Sequence, residues 1–252
     1  MRVSRDAYMD RYDRQMMEFS EEEQDLIRSA RVGVIGCGGL GCSVCTSLAM
    51  AGVGHLTVMD PDTPEISNLN RQFVYSRPIR DGDKRYKAEI MAEWITDIND
   101  EVEVEAHVNA FDETSWSIFD DCDIMVDCLD SISVRKTLNR YCVARDKPLV
   151  HGGIDGFEGE LCTIIPGRTP CLECMMKDIY DSDSAAASIG SIVMAVGAMQ
   201  ATDVLKLITG RGAELVGSFL SVDFASGRFS SIRFNRDPNC PVCKDSEAFQ
   251  QY

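Results

Sequence analysis

Four of the 11 cysteines stand in two C-x-x-C turns, Cys171-Leu172-Glu173-Cys174 and Cys240-Pro241-Val242-Cys243. Each turn presents two sulfurs on one edge of a tetrahedron, and two such turns complete a four-thiolate zinc site. Residues 175–239 separate the pairs, a longer interval than in a zinc ribbon. A metal held there would staple the C-terminal tail to the middle of the chain. Redox dithiols are the other chemistry open to such pairs. The remaining seven (Cys37, Cys42, Cys45, Cys122, Cys128, Cys142 and Cys162) lie in or beside apolar runs and read as small core residues. An odd, dispersed set of cysteines points to a reducing compartment.

A second chemistry-bearing stretch is Gly36-Cys37-Gly38-Gly39-Leu40-Gly41. Gly36, Gly38 and Gly41 satisfy G-x-G-x-x-G, in which glycines turn the backbone tightly and let it approach a phosphate at a helix N-terminus. Asp60 then ends the next apolar run, where an acid grips ribose hydroxyls. That much suits an NAD-binding oxidoreductase. The following segment, Ser67-Asn68-Leu69-Asn70-Arg71-Gln72, argues for a triphosphate instead. It offers amide donors and a guanidinium fork for extra negative charge, and Lys84 and Lys87 can add more.

The elements that must position these residues follow from periodicity. Short β-rich runs are expected at Arg31–Ile35, His55–Met59, Val102–Val108, Ile124–Cys128 and Leu149–Val150. Helices are expected from the glycine turn to Ala51, over Lys87–Ile98 and over Val134–Ala144, with another starting after Ser20 in Glu21-Glu22-Glu23. Alternating strands and helices predict an α/β fold, Rossmann-like, with a mostly parallel sheet covered on both faces. Leu161–Ile165, Ser218–Val222 and Phe229–Phe234 read as an antiparallel extension stapled by the cysteines, with a helix ending near Ile208. No linker is visible, so 1–252 reads as one domain. Residues 1–30 form an N-terminal helical arm, 31–158 the nucleotide-binding half and 159–252 the zinc-stapled half.

At 252 residues, 44% hydrophobic and 26% charged, the chain is neither disordered, collagenous nor a coiled coil. A net charge of −16 repels nucleic acid and anionic membranes, so a polyanionic ligand needs a local cluster of donors. Ser184 to Thr202 is uncharged but mostly Ala, Ser and Gly, and reads as a loop entering a closely packed helix rather than a membrane span. No leader pattern opens the sequence, and a cytoplasmic protein is expected.

Arg11-Tyr12-Asp13-Arg14-Gln15, the Gly36–Gly41 turn, Ala51-Gly52-Val53-Gly54, the Ser67–Gln72 run, Asp127-Cys128-Leu129-Asp130 and the paired C-x-x-C turns occur in that order. This set resembles the ubiquitin-activating-enzyme-like adenylyltransferases, the superfamily of ThiF, MoeB and HesA. The resemblance implies ATP- and Mg²⁺-dependent activation of a carboxylate as an acyl-adenylate, with release of pyrophosphate. It assigns the nucleotide cradle to Gly36, Gly38, Gly39 and Gly41, the ribose to Asp60, and phosphate contacts to Asn68, Arg71 and Gln72. Lys87 matches the catalytic lysine, Asp130 the acid that holds Mg²⁺, and Arg14 an arginine that reaches the partner's triphosphate in a homodimer.

The departures are informative. The segment before Lys87 is longer than usual, so Lys84 is a second candidate for the lysine role, and Ser131 replaces an Asn. Many relatives carry a cysteine, and a Gly-x-x-x-Pro, on the crossover loop after the first zinc pair. Here no cysteine lies between Cys174 and Cys240, and Asp181-Ser182-Asp183-Ser184 occupies that loop. Adenylation without a loop thioester is expected. The acyl substrate is either the C-terminal Gly-Gly of a ubiquitin-like sulfur carrier or a small-molecule carboxylate. A guanylylpyridinol precursor of the iron-hydrogenase cofactor is one example of the latter. A non-catalytic scaffold is the remaining class, and the intact set of Arg14, Asp60, Arg71 and Asp130 argues against it.

Overall fold

The computed structural model describes residues 9–181, 186–212 and 216–245. Eight strands form one sheet: β1 Arg31–Ile35, β2 His55–Met59, β3 Glu103–His107, β4 Ile124–Asp127, β5 Leu149–Asp155, β6 Glu158–Ile164, β7 Ser218–Asp223 and β8 Arg228–Arg233. Their order is β3-β2-β1-β4-β5-β6-β7-β8. β1 to β5 pair in parallel, and the β5–β6, β6–β7 and β7–β8 pairs are antiparallel. The expected parallel half with an antiparallel extension is therefore present.

The helices are α1 Glu21–Ser29, α2 Gly39–Ala51, α3 Ser76–Asp81, α4 Lys87–Ile98, α5 Ile132–Ala144, α6 Leu172–Met175 and α7 Gly190–Thr209. Ser20 and Glu23 form a capping box on α1. Val32, Val34, Ile124 and Val126 face one core, shared with α2, α4 and α7. Ile35, Met125 and Leu149 face the other, shared with α5 and the four paired cysteines.

Helix α7 explains the small-residue stretch. A Cβ at Gly197 would lie 2.6 Å from the Ser43 Cβ and 2.9 Å from the Leu40 carbonyl oxygen, so small residues let α7 sit directly on α2. Gly190–Thr209 is apolar and long enough to cross a membrane by length and composition. In the fold Ile192, Val193, Val196 and Val204 are buried in the core. The loop read just before it falls partly outside the described residues, at 182–185.

Strand β5 is longer than the Leu149–Val150 expected. Gly152 and Gly153 give no apolar signal, yet both are in the strand because their neighbours need the space. A Cβ at Gly152 would lie 2.4 Å from the Gln200 side chain, and one at Gly153 2.4 Å from Glu160 Oε1.

Candidate functional site

The carboxyl ends of β1, β2 and β4 meet at the Gly36–Gly41 turn, which enters α2. Gly36 has φ of 96° and its Cβ position lies 2.6 Å from the Cys128 carbonyl oxygen, so no side chain fits. Gly41 is just as constrained: a Cβ would lie 2.1 Å from the Gly36 oxygen. We expect Gly41→Ala to push the turn off the β4 loop, at a cost of about 1–3 kcal/mol. Thermal denaturation and nucleotide titration should both show the loss.

Asp60 ends β2 and is buried. Its Oδ2 accepts a hydrogen bond from the Cys37 N–H (2.7 Å) and its Oδ1 one from the Asp62 N–H (2.9 Å). The acid therefore shapes the glycine turn as well as facing it. Burial pushes its carboxyl above the usual range, opposed by the charge of Lys87. On the other side of the turn the buried Tyr75 hydroxyl donates to the Cys37 carbonyl at 2.5 Å. Sequence reasoning passed over Tyr75, because it lies in a 3-10 turn, Phe73–Tyr75, with no periodic signal.

Gln72 is buried, and its Oε1 has no hydrogen-bond partner among the described residues. Its Nε2 lies 3.7 Å from the Cβ position of Gly38. Of the two amide atoms it is Nε2, the one nearer Gly38, that can donate to a phosphate. The aliphatic part of Arg71 lies 3.4 Å from the Cβ position of Gly39. Its guanidinium donates to Ser67 O (3.2 Å) and Asn70 Oδ1 (2.9 Å). Asn68 Oδ1 accepts from the Glu65 N–H at 3.0 Å, which fixes the Ile66–Asn68 turn.

Lys87 opens α4 and is buried, with Nζ 2.9 Å from Asp62 Oδ2. Lys84 is exposed on the preceding loop. Asp130 is exposed on the loop between β4 and α5. Arg14 is not brought to this place by its own chain. Its neighbour Gln15 donates to Ala51 O (3.0 Å) at the far end of α2, and the Tyr12 ring fills the space a side chain on Gly52 would take. Helix α2 has 13 residues, which separates that end from the glycine turn by about 20 Å.

Asp181, noted above only as part of the segment that occupies the crossover loop, makes a contact that no spacing along the chain reports. Its carboxylate accepts from the Ile132 N–H (2.5 Å) and the Ser133 N–H (3.2 Å), so the start of the crossover segment is docked on the N-terminus of α5. Ser131, in the position next to Asp130, caps the same helix through the Val134 N–H.

The four paired cysteines form one cluster, with all sulfurs within 4.8 Å of one another. Cys171–Cys240, Cys174–Cys243 and Cys171–Cys174 are 3.7, 3.5 and 4.0 Å apart. A zinc ion with bonds of about 2.3 Å requires tetrahedral edges of about 3.8 Å, so the dimensions fit. Burial raises the Cys171 thiol; at Cys240 burial also raises it, but the N–H groups of Cys243 and Val242 together with hydrogen bonds from the Cys174 and Cys243 thiols hold it down. Cys37 and Cys128 beside the glycine turn are pushed up by burial, and Cys42 to about 12, so none is a ready thiolate nucleophile. A cavity of about 870 Å³, lined by Leu26, Ile124, Pro148 and Lys206 among others, opens at the opposite ends of the strands. Ligands of such sheets bind at the carboxyl ends.

A glycine turn at the carboxyl ends of parallel strands, with a buried acid just past the second strand, is the architecture of a nucleotide-binding protein. Residues 12–242 match the ThiF family, and the chain belongs to it. It is 35% identical to the SAMP-activating enzyme E1 of Haloferax volcanii, over 96% of this chain and 92% of that one. It is 31% identical to the molybdopterin-synthase adenylyltransferase of Escherichia coli, over 94% and 97%. The heterocyst HesA protein of Trichormus variabilis is 34% identical over 93% and 88%. Among solved structures, E. coli MccB with AMPCPP and MccA superposes with a TM-score of 0.82, at 26% identity over 93% of this chain and 74% of that one. The chain is thus an ATP-dependent adenylyltransferase.

Proposed function

We propose that this enzyme adenylates the C-terminal carboxylate of a small carrier protein. The reading is supported by the glycine turn with Asp60, Arg71, Gln72 and Lys87 close to it at the carboxyl ends of the parallel strands, and by Asp130 standing three residues beyond the end of β4. Similarity to a SAMP-activating E1 and a molybdopterin-synthase adenylyltransferase over nearly the whole length of each supports the substrate class. A small-molecule carboxylate, such as guanylylpyridinol, is the second reading. It is favoured by the absence of any cysteine from residue 175 to 239, since no loop thioester is then available to a carrier.

In this reading a carboxylate oxygen attacks the α-phosphorus, the bond from that phosphorus to the bridging oxygen breaks, and pyrophosphate leaves. Gly36, Gly38, Gly39 and Gly41 let the backbone approach the nucleotide, and Asp60 holds the ribose. Asn68, Arg71, Gln72 and Lys87 hold the phosphates and offset the charge that collects on the leaving oxygen. Asp130 would hold Mg²⁺, which when bound neutralises the triphosphate. The protein's task is positioning and electrostatics. The four cysteines Cys171, Cys174, Cys240 and Cys243 would hold zinc.

Arg14 reaches a triphosphate in this account only from a partner subunit, since its own glycine turn lies at the other end of α2. In a homodimer, Arg14→Ala and Asp130→Ala should each be inactive, and mixed dimers should regain activity at one of two sites. A catalytically competent monomer would refute the shared site. ATP–pyrophosphate exchange against a panel of carrier proteins and aromatic carboxylates tests the substrate class. Exchange with a carrier, and its loss when the C-terminal glycine is removed, is the expected result; exchange with the small carboxylates alone overturns it.

A further inference from the structure

Four ionisable side chains outside the set assigned above form a closed cluster behind the loop that carries Asp130. Asp127 ends β4, His151 lies opposite it in the register of β5, Glu160 is on β6 and Arg135 is on α5. Asp127 and His151 are fully buried. His151 Nδ1 is 2.7 Å from Asp127 Oδ2, and its Nε2 is 3.2 Å from Glu160 Oε1. A carboxylate on each nitrogen requires both nitrogens to donate, which makes the ring an imidazolium. The Arg135 guanidinium is 3.6 Å from both carboxylates. Two negative and two positive charges balance, so none is buried alone.

The cluster grips the two peptide groups that flank Leu129. The Leu129 N–H donates to Asp127 Oδ1 at 3.0 Å. The Leu129 carbonyl accepts from Arg135 Nε at 3.1 Å and from Nη2 at 2.5 Å. Both polar atoms of the residue preceding Asp130 are therefore fixed by the network. Arg135 also reaches the Gly152 carbonyl (3.3 Å), which ties the loop to β5. Gly153 leaves the room that Glu160 needs. A buried ion-pair network adds little stability over packed apolar residues, so a geometric role is the stronger reason for building one here.

We propose that Asp127, Arg135, His151 and Glu160 are positioning residues that set the direction from which Asp130 meets the metal–triphosphate. The proposal rests on the role given to Asp130 above. None of the four is assigned a contact with the reacting atoms; they act through the backbone N–H and carbonyl of Leu129.

The test is the Mg²⁺ dependence of ATP–pyrophosphate exchange in full-length, zinc-loaded Arg135→Gln, His151→Gln and Asp130→Asn. Outer-shell partners of a metal-binding carboxylate typically contribute about 10- to 100-fold in metal affinity or activity. Arg135→Gln and His151→Gln should therefore raise the Mg²⁺ half-saturation and lower the rate by about tenfold or more. The KM for ATP should stay within about twofold, because the nucleotide cradle is untouched. A merely structural role would lower the active fraction without moving the Mg²⁺ half-saturation. Should the glutamine variants fold poorly, Glu160→Gln gives the milder perturbation, and faster amide exchange at Leu129 and Asp130 is its expected second readout. Folded variants with a wild-type Mg²⁺ response, alongside an impaired Asp130→Asn, overturn the positioning role alone. A wild-type response in Asp130→Asn overturns the reading of Asp130 and the proposal with it.

Discussion

With Lys87 in the role proposed for it, Lys87→Met is expected to lower carboxylate-dependent ATP–pyrophosphate exchange by about 10²–10³-fold, the size of effect that follows removal of one preorganised donor to developing charge. Lys84→Met should change it less than about twofold, as befits an exposed charge on a loop. The difference comes from placement. Lys87 is buried at the first turn of α4, with its ammonium 2.9 Å from Asp62 and its charge acting on Asp60 beneath the glycine turn. Lys84 is on the solvated loop before that helix. A second signature accompanies the loss. Burial raises the Asp60 carboxyl and the Lys87 charge opposes that rise. Removing the charge raises Asp60 further, so the low-pH limb of any residual activity should move to higher pH. Steady-state rates across a pH series for both variants check the magnitude and the direction together.

Loss of the zinc proposed for the four-cysteine cluster is the change with the largest expected effect on stability. Cys171, Cys240 and Cys243 are buried in the core that also contains Leu138, Tyr141, Ile164 and Leu172. The cluster is what joins the turn at 171–174 to the turn at 240–243. A structural zinc contributes its binding energy as folding energy, up to about 10–16 kcal/mol in isolated fingers. Even about 4–5 kcal/mol of that would lower the melting temperature of a chain this size by about 10–20 °C. Cys240→Ser or prolonged chelation should show that drop. Metal analysis should find one zinc per chain in the parent protein and less in the variant. A chain that is metal-free and equally stable would remove zinc from the account.

Much of this fold was legible because its signals are local. β1, β2 and α4 fall on the residues expected, since β1 and β2 are short apolar runs buried on both faces and α4 carries apolar residues at helical spacing. The glycine turn was legible because backbone close to Cys128 and to Gly36 itself excludes any other residue type at Gly36 and Gly41. The C-x-x-C turns were legible because paired thiolates have a fixed reach. What stayed hidden depends on register or on contacts distant in sequence. The full length of β5 was masked by Gly152 and Gly153, whose purpose appears only once Gln200 and Glu160 are seen against them. The link between Asp127 and His151 comes from strand pairing, which no spacing along the chain reports. Asp181 on the N-terminus of α5 is a tertiary contact between a loop and a helix almost 50 residues apart in sequence. The burial of Lys87 against the exposure of Lys84, and the packing of Tyr12 and Gln15 at the far end of α2 beside Arg14, are likewise set by tertiary contacts.

The central claim is that a carboxylate oxygen of the substrate becomes bonded to the α-phosphorus of ATP. It is tested most directly with an ¹⁸O-labelled carboxylate identified by the exchange panel, incubated with ATP, Mg²⁺ and hydroxylamine as acyl acceptor. Attack of hydroxylamine on the carbonyl carbon breaks the acyl–oxygen bond and leaves the carboxylate oxygen on phosphorus. The account predicts AMP carrying one ¹⁸O, formed in step with pyrophosphate and hydroxamate. AMP free of label, or ADP and phosphate in place of AMP and pyrophosphate, would contradict it.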